Sequence, residues 1–295
     1  MNQVWIPPEL KLVSTVPFPE HLFVCLAKIQ PEAGGVLKGI FETGKNPPKK
    51  LQSVLMEHLV YNYDLGEKGL YWEAGPSADF TEILYIFTAP GLEEARRLMH
   101  GDPFYRDGIF YDDWWFEWHV HVPIWKIKPA DQGMMEGLMR AVNILPTYPP
   151  GVKPDIIEFK VEPVTPLRLF VSISKARAEA IKKLERDQQA GKPVPSFFIN
   201  HAYYRLGPGG TVPMGFDWEA GPSMDQSYDL TVMSVGSMEM ARLLRENDPV
   251  SQNGLFYDHR YFEWCILMPW KKASPTYKDN LKKLLKTAGI TPAVD

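Results

Sequence analysis

The sequence predicts an α+β protein in which two ferredoxin-like units, each βαββαβ, follow one another in tandem. Three observations carry this reading. The hexapeptide WEAGPS occurs at Trp72–Ser77 and again at Trp218–Ser223. Laying Trp72–Lys126 over Trp218–Lys272 without a gap gives twenty-three identities in fifty-five pairs. Within each copy, strand-like alternation gives way twice to helical periodicity, in the order strand, helix, strand, strand, helix, strand. A repeat of roughly 125 residues is the size of a domain and too long for a solenoid unit. The expected division is a first domain at 1–128, a linker at 129–160 and a second domain at 161–295.

The elements follow in order. HLFVCLAKI (21–29) reads as a buried strand, and its counterpart LRLFVSISK (167–175) alternates more clearly. Residues 48–66 read as a helix opened by proline and closed near Gly66 and Gly69. LYWEAGP is a second strand, with Gly75-Pro76 expected to make the turn that ends it and Trp72 and Trp218 expected in the core. FTEILYIFTA is a third strand, rich in β-branched and aromatic residues. GLEEARRLMHGD is an amphipathic helix with Leu92, Ala95, Leu98 and Met99 on one face. DWWFEWHVHVPIW alternates strongly and is the fourth strand. A four-stranded sheet with helices on one face leaves the other face to be covered, and a fused second copy is a natural cover. The stretches 30–48 and 177–194 differ between the copies and read as insertions near the first helix, either lids or surface padding, with a helix as one reading of RAEAIKKLERDQQ in the second copy. The linker holds a helical stretch, DQGMMEGLMRAVN, followed by the proline-rich LPTYPPGVKP.

Composition narrows the function. The chain has 295 residues, 45% of them apolar and 23% charged, as in an ordinary globular protein. A net charge of −4 and a pI near 6.0 argue against a nucleic-acid or anionic-membrane partner. Two cysteines, Cys25 and Cys265, make no disulfide framework and suit a reducing compartment. The opening MNQVWIPPEL lacks the regions of a signal peptide, and no run is long enough to span a membrane. The expectation is a soluble cytoplasmic protein with a small-molecule ligand.

Recurrence separates candidate site residues from background. Of seven histidines, His58 and His201 recur, each followed at the third position by tyrosine. Asp102 and Asp248 recur too, each before a proline and after the second helix. A carboxylate that fixes an imidazole tautomer makes a general-base pair. The bland alternative is a histidine satisfying a core hydrogen bond and an aspartate capping a turn. In the first copy alone, Glu117, His119 and His121 alternate along the last strand and share a face. They read either as the polar lining of a pocket or as ligands of a metal such as zinc or iron; the second copy has Glu263, Cys265 and Leu267 there. Tyr111 and Tyr257, with Trp115 and Tyr261, read as pocket walls or as core. GPGG at 207–210 lacks the setting of a phosphate loop and reads as a turn. No nucleophile signature and no cofactor motif is present, so the reading invokes no cofactor.

Three blocks together resemble the YCII-related domain family: HLVYNYDLGEKGLYWEAGP, a helix ending in DPF, and GIFYDDWWFEWHVHVPIWK. The resemblance implies a ferredoxin-like fold of the dimeric α+β barrel group, here an internal pseudo-dimer able to associate further. It implies an active-site histidine on the first helix (His58, His201), a Gly-Pro after the second strand (Gly75-Pro76, Gly221-Pro222) and an Asp-Pro at the end of the second helix (Asp102, Asp248). The span from His58 to Gly75 suits the family, whereas GPGGTV lengthens it in the second copy, so the first copy is the expected active half. Activities in the family include removal of HCl from a chlorinated hydroxyquinol. The expected function is a lyase or isomerase that abstracts a proton from a cyclic or aromatic oxygenated compound. The rivals are a non-catalytic metabolite-binding protein and a metal-dependent oxygenase.

Overall fold

The computed structural model describes residues 19, 21–121, 168–207, 209–212 and 214–292; the expected linker at 129–160 lies outside them. In chain order the elements are β1 (Leu22–Ile29), α1 (Pro31–Thr43), α2 (Lys49–Glu67), β2 (Tyr71–Pro76), β3 (Glu82–Thr88), α3 (Leu92–His100), α4 (Pro103–Arg106) and β4 (Phe110–Trp118). Then come β5 (Leu169–Ala176), α5 (Ala178–Gln189), α6 (Ser196–Leu206), β6 (Asp217–Pro222), β7 (Tyr228–Met233), α7 (Met238–Glu246), α8 (Pro249–Gln252) and β8 (Phe256–Trp264). A 3₁₀ turn (Trp270–Lys272) and α9 (Pro275–Thr287) close the chain. The strands form two four-stranded sheets, ordered β2-β3-β1-β4 and β6-β7-β5-β8. Two ferredoxin-like units in tandem are therefore present.

By internal contacts the chain separates into two compact units, and each draws on both repeats. Among the described residues, 21–118 with 168–169 and 262–292 make the first unit; 119–121 with 170–261 make most of the second.

In the first unit β1 pairs antiparallel with β3 and β4, and β2 pairs with β3. One face of β1 (Phe23, Cys25, Ala27, Ile29) packs into a core with α1, α2, α3 and α9. The stretch expected as an insertion at 30–48 is instead the core helix α1. Pro31 stands in its first turn, where a missing N–H costs nothing, and Gly44 closes it at φ 65 by donating to Ile40 O. Leu37, Ile40 and Phe41, at i, i+3 and i+4, are its buried stripe. Full burial of such a side chain is worth about 1.5–3 kcal/mol, so α1 is a wall of the core and not padding. The matching stretch of the second repeat holds the helix α5.

Gly75-Pro76 does not make a turn. Both residues lie inside β2, and the turn comes after them: Ser77 Oγ donates to Asp79 Oδ1 at 2.6 Å, and Phe80 takes φ 59. The glycine answers a different need. Beyond β8 the chain pairs along β2, with Cys265 N donating to Pro76 O at 2.9 Å, Leu267 N to Ala74 O at 2.8 Å and Ala74 N to Met268 O at 2.7 Å. A Cβ on Gly75 would overlap the Cys265 carbonyl. The second unit repeats the device: His119 N donates to Pro222 O at 2.9 Å and His121 N to Ala220 O at 2.8 Å, and a Cβ on Gly221 would overlap the His119 carbonyl. Trp72 and Trp218 are buried, as expected. Glu73 is buried too and takes an ion pair from Lys272 at 3.1 Å, whose ammonium lies 3.7 Å from the Trp72 ring centroid.

Candidate active site

In the first unit α2 carries His58 on its inner side, and the short helix α4 begins at Asp102. The two meet: His58 Nδ1 lies 2.7 Å from Asp102 Oδ1. The aspartate is also the N-cap of α4, accepting from Phe104 N at 2.8 Å, with Pro103 at the first helical position. Capping and pairing with histidine, rivals in the sequence reading, are one arrangement. The imidazole is held between rings, stacked on Phe104 at 3.9 Å between centroids and 7° between planes, with Phe110 edge-on at 5.7 Å. Its side chain is 14% exposed, against 1% for Asp102.

The other carboxylate oxygen is occupied as well. Asn62 Nδ2 donates to Asp102 Oδ2 at 2.8 Å and to its own helix at His58 O, also 2.8 Å. Tyr85 OH donates to Oδ2 at 3.2 Å, and Tyr71 OH donates to Asn62 Oδ1 at 2.7 Å. Burial pushes both phenols well above the ordinary tyrosine range, and the Asp102 charge adds to it, so both stay protonated donors. Hydrogen counting then assigns the histidine. Both amide hydrogens of Asn62 are used, so its 3.0 Å approach to His58 Nδ1 is no donation to that nitrogen. With the carboxylate as acceptor, Nδ1 is the nitrogen that donates to Asp102, so Nε2 is the one that can take a proton.

His58 lines a cavity of about 30 Å³ together with Asn62, Tyr85, Gly75 and apolar walls from Phe41, Leu59, Ile83, Met268 and Leu281. That is room for about one or two waters. Neither lysine nor arginine is among its lining residues.

In the second unit His201 Nδ1 stands 2.7 Å from Asp248 Oδ1, and Asp248 caps α8 through Val250 N at 3.1 Å. The surroundings differ in kind. Arg245 Nη1 is 3.4 Å and Arg205 Nη1 3.8 Å from Asp248 Oδ2. Arg245 also binds Asp229 at 2.7 Å, and Arg205 lies 3.3 Å from Asp217. Burial alone would raise the Asp248 carboxyl, but His201 beside it, with Arg245 and Arg205 behind, outweighs this and holds it at about 2.

The remaining expected site residues lie elsewhere. Tyr111 and Tyr257 are exposed, and Tyr257 packs under the Arg177 guanidinium at 5.0 Å. Glu117 is engaged by His21 Nδ1 at 2.7 Å. His119 and His121 sit on the segment that pairs with β6, their ring centroids 6.4 Å apart. Neither these residues nor Pro76, Gly221 and Pro222 line the first-unit cavity. Among the described residues no group of three or more His, Cys, Asp or Glu is placed to hold a metal, and no helix is long and apolar enough to cross a membrane.

Sequence reasoning missed Asn62, Tyr71 and Tyr85 in the first repeat and Arg205, Arg245, Asp217 and Asp229 in the second. The signal lay in positions where the repeats differ. Asn62 answers Arg205, Tyr71 answers Asp217, Met99 answers Arg245 and Ile83 answers Asp229, each pair matched by position around the dyads or by strand register. Compensating charge changes at four such positions point to a shared polar centre.

The segment holding His58, Asp102 and their partners also carries the family match, at residues 21–119. The match is to the YCII-related domain. No curated protein sequence matches the chain. Among solved structures the chain is similar to 5-chloro-2-hydroxyhydroquinone dehydrochlorinase from Burkholderia phenoliruptrix in complex with 2,5-dihydroxybenzoquinone, at 19% identity over 32% of this chain and 89% of that one, with a TM-score of 0.22. It is also similar to a heme-binding protein from Thermus thermophilus, at 15% identity over 90% and 99% of the two chains, with a TM-score of 0.42. A third similarity is to the siroheme decarboxylase NirDL, at 10% identity over 92% and 83%, with a TM-score of 0.35. Within the matched residues, His58 is the described histidine that both pairs with a buried carboxylate and borders a cavity.

Proposed function

We propose that the protein is a small-molecule enzyme whose first repeat abstracts a proton from a cyclic or aromatic, oxygenated compound, followed by elimination or isomerisation. The observation that carries this reading is the His58–Asp102 pair at 2.7 Å, with the ring's other nitrogen left free on a residue that borders an apolar cavity. His58 Nε2 takes a proton from an acidic C–H or O–H of the substrate, and the electron pair left behind moves into the ring. In an elimination it expels a leaving group such as chloride; in an isomerisation another ring atom takes the proton back from Nε2. Asp102 stabilises the imidazolium in between, and the imidazolium offsets the negative charge developing on the substrate. The absence of lysine and arginine from the lining suits a substrate that is uncharged where it enters. A ring needs more than the present cavity, and Met268 is the lining side chain that would give way, methionine being the most adaptable of apolar residues.

The second repeat is read as structural. Its carboxylate is shared between a histidine and two guanidinium groups, an ionic centre in the place of a tuned base.

The test is to incubate the protein with chlorinated hydroxyquinols and with hydroxylated unsaturated lactones, following chloride release and ring absorbance. Turnover of at least one compound is expected, with His58→Gln lowering it by about 10²–10⁴-fold in a folded protein. Full turnover by that variant would remove His58 from the chemistry.

A further inference from the structure

We propose that Asn62, held by Tyr71, is a positioning residue for the His58–Asp102 pair, and that the two act as a single replaceable unit. The proposal rests on the reading of that pair as the working site.

Asn62 stands one helical turn after His58, and its side-chain nitrogen reaches both back to His58 O and across to Asp102 Oδ2, each at 2.8 Å. The residue therefore ties the carboxylate to the same turn of α2 that carries the imidazole. A change in the α2–α4 spacing that separated His58 from Asp102 would also have to break the bond from Asn62 to Asp102. An amide can present either end, and Tyr71 decides which: its hydroxyl donates to Asn62 Oδ1 at 2.7 Å, so the amide nitrogen faces the carboxylate. Asn62 and Tyr71 are both buried, where an unpaired amide or hydroxyl is costly and a satisfied one rigidifies.

The second repeat shows that the unit is replaced whole. Arg205 and Asp217 occupy the two positions, 3.3 Å apart, and Arg205 again reaches the carboxylate of the dyad. A neutral donor–acceptor pair in one repeat is an ion pair in the other, while the His–Asp distance is 2.7 Å in both. Had Asp217 arisen without Arg205, the second repeat would hold a buried carboxylate with the Thr211 hydroxyl as a partner and no cation beside it.

The experiment reads the His58 Nδ1 proton by NMR in full-length, histidine-labelled protein without substrate. In the wild type this proton is expected downfield and protected from exchange with water. Asn62→Leu is expected to speed its exchange about tenfold or more, the loss of roughly one buried hydrogen bond, with backbone resonances elsewhere unchanged. Tyr71→Phe is expected to act in the same direction and less strongly. The exchange of the unit is tested in the second repeat: Arg205→Asn alone leaves the buried Asp217 carboxylate with the Thr211 hydroxyl but without its cation and lowers the thermal midpoint, and Arg205→Asn with Asp217→Tyr restores it together with a protected His201 proton. Wild-type exchange in folded Asn62→Leu overturns the positioning role. A double variant no better than Arg205→Asn overturns the unit, and it decides alone if Asn62→Leu does not fold. Since no substrate is involved, inactivity of the protein on every compound leaves this result standing.

Discussion

At Asp102 four donors converge on one carboxylate: His58 and Phe104 N on Oδ1, Asn62 and Tyr85 on Oδ2. Four donors fill the four acceptor sites that a carboxylate offers. Asp102→Asn puts an NH₂ where an acceptor stood, so it is expected to lower turnover by about 10²-fold or more and also to lower the thermal midpoint. Asp248 supports a prediction about acid. Its folded-state value of about 2 lies below the roughly 3.9 of an unfolded aspartate. The stability it contributes is therefore fully present above about pH 5 and is lost as pH falls through 4 towards 2. In denaturation curves, Asp248→Asn is expected to sit well below the wild type at neutral pH, with the gap narrowing over that window. A gap that stays constant down to pH 2 would mean that the carboxylate is not held by its ion pairs.

At the scale of elements, the repeated WEAGP strand is decided by what crosses it. Gly75 and Gly221 are the points where another segment's carbonyl comes too close for any Cβ. Gly75→Ala and Gly221→Ala are each expected to cost about 3 kcal/mol or more, read as a fall in thermal midpoint, because the clash is with backbone and not with a side chain that can rotate. The sequence signalled these glycines by recurrence but assigned them to a turn, since glycine before proline reads locally as a turn and the approaching strand comes from almost 190 residues away in the case of Trp264 Nε1 and Gly75 O. The helix α1 was missed for a related reason. Its three glycines, Gly34, Gly35 and Gly39, weaken the local helical signal, while its buried stripe is set by packing against α9, an element at the far end of the chain. The strands, α2 and α3 were legible because their periodicity is local.

For the molecule as a whole, duplication has kept the fold and the His–Asp geometry twice while changing what surrounds the pair. The order of elements and the histidine–aspartate pairing were readable from one repeat laid over the other. The polar shells were not, because they consist of residues that differ between the repeats, and difference in sequence looks like drift until the side chains are seen in contact. In the second unit Arg245 serves both Asp229 and Asp248, and removing it takes the cation from one buried carboxylate and one of two guanidinium groups from the other. Arg245→Met is accordingly expected to destabilise the protein by about 3–5 kcal/mol, measured by chemical denaturation. The matching first-repeat position is already a methionine, Met99, buried in an apolar core that needs no such charge. On the proposed reading the working base belongs to the first repeat. Turnover of one compound by His58→Gln and by His201→Gln, with folding checked by circular dichroism, separates the two histidines. A fall of about 10²-fold or more is expected for His58→Gln and a change within about threefold for His201→Gln; equal losses, or a loss confined to His201→Gln, would take the base out of the first repeat alone.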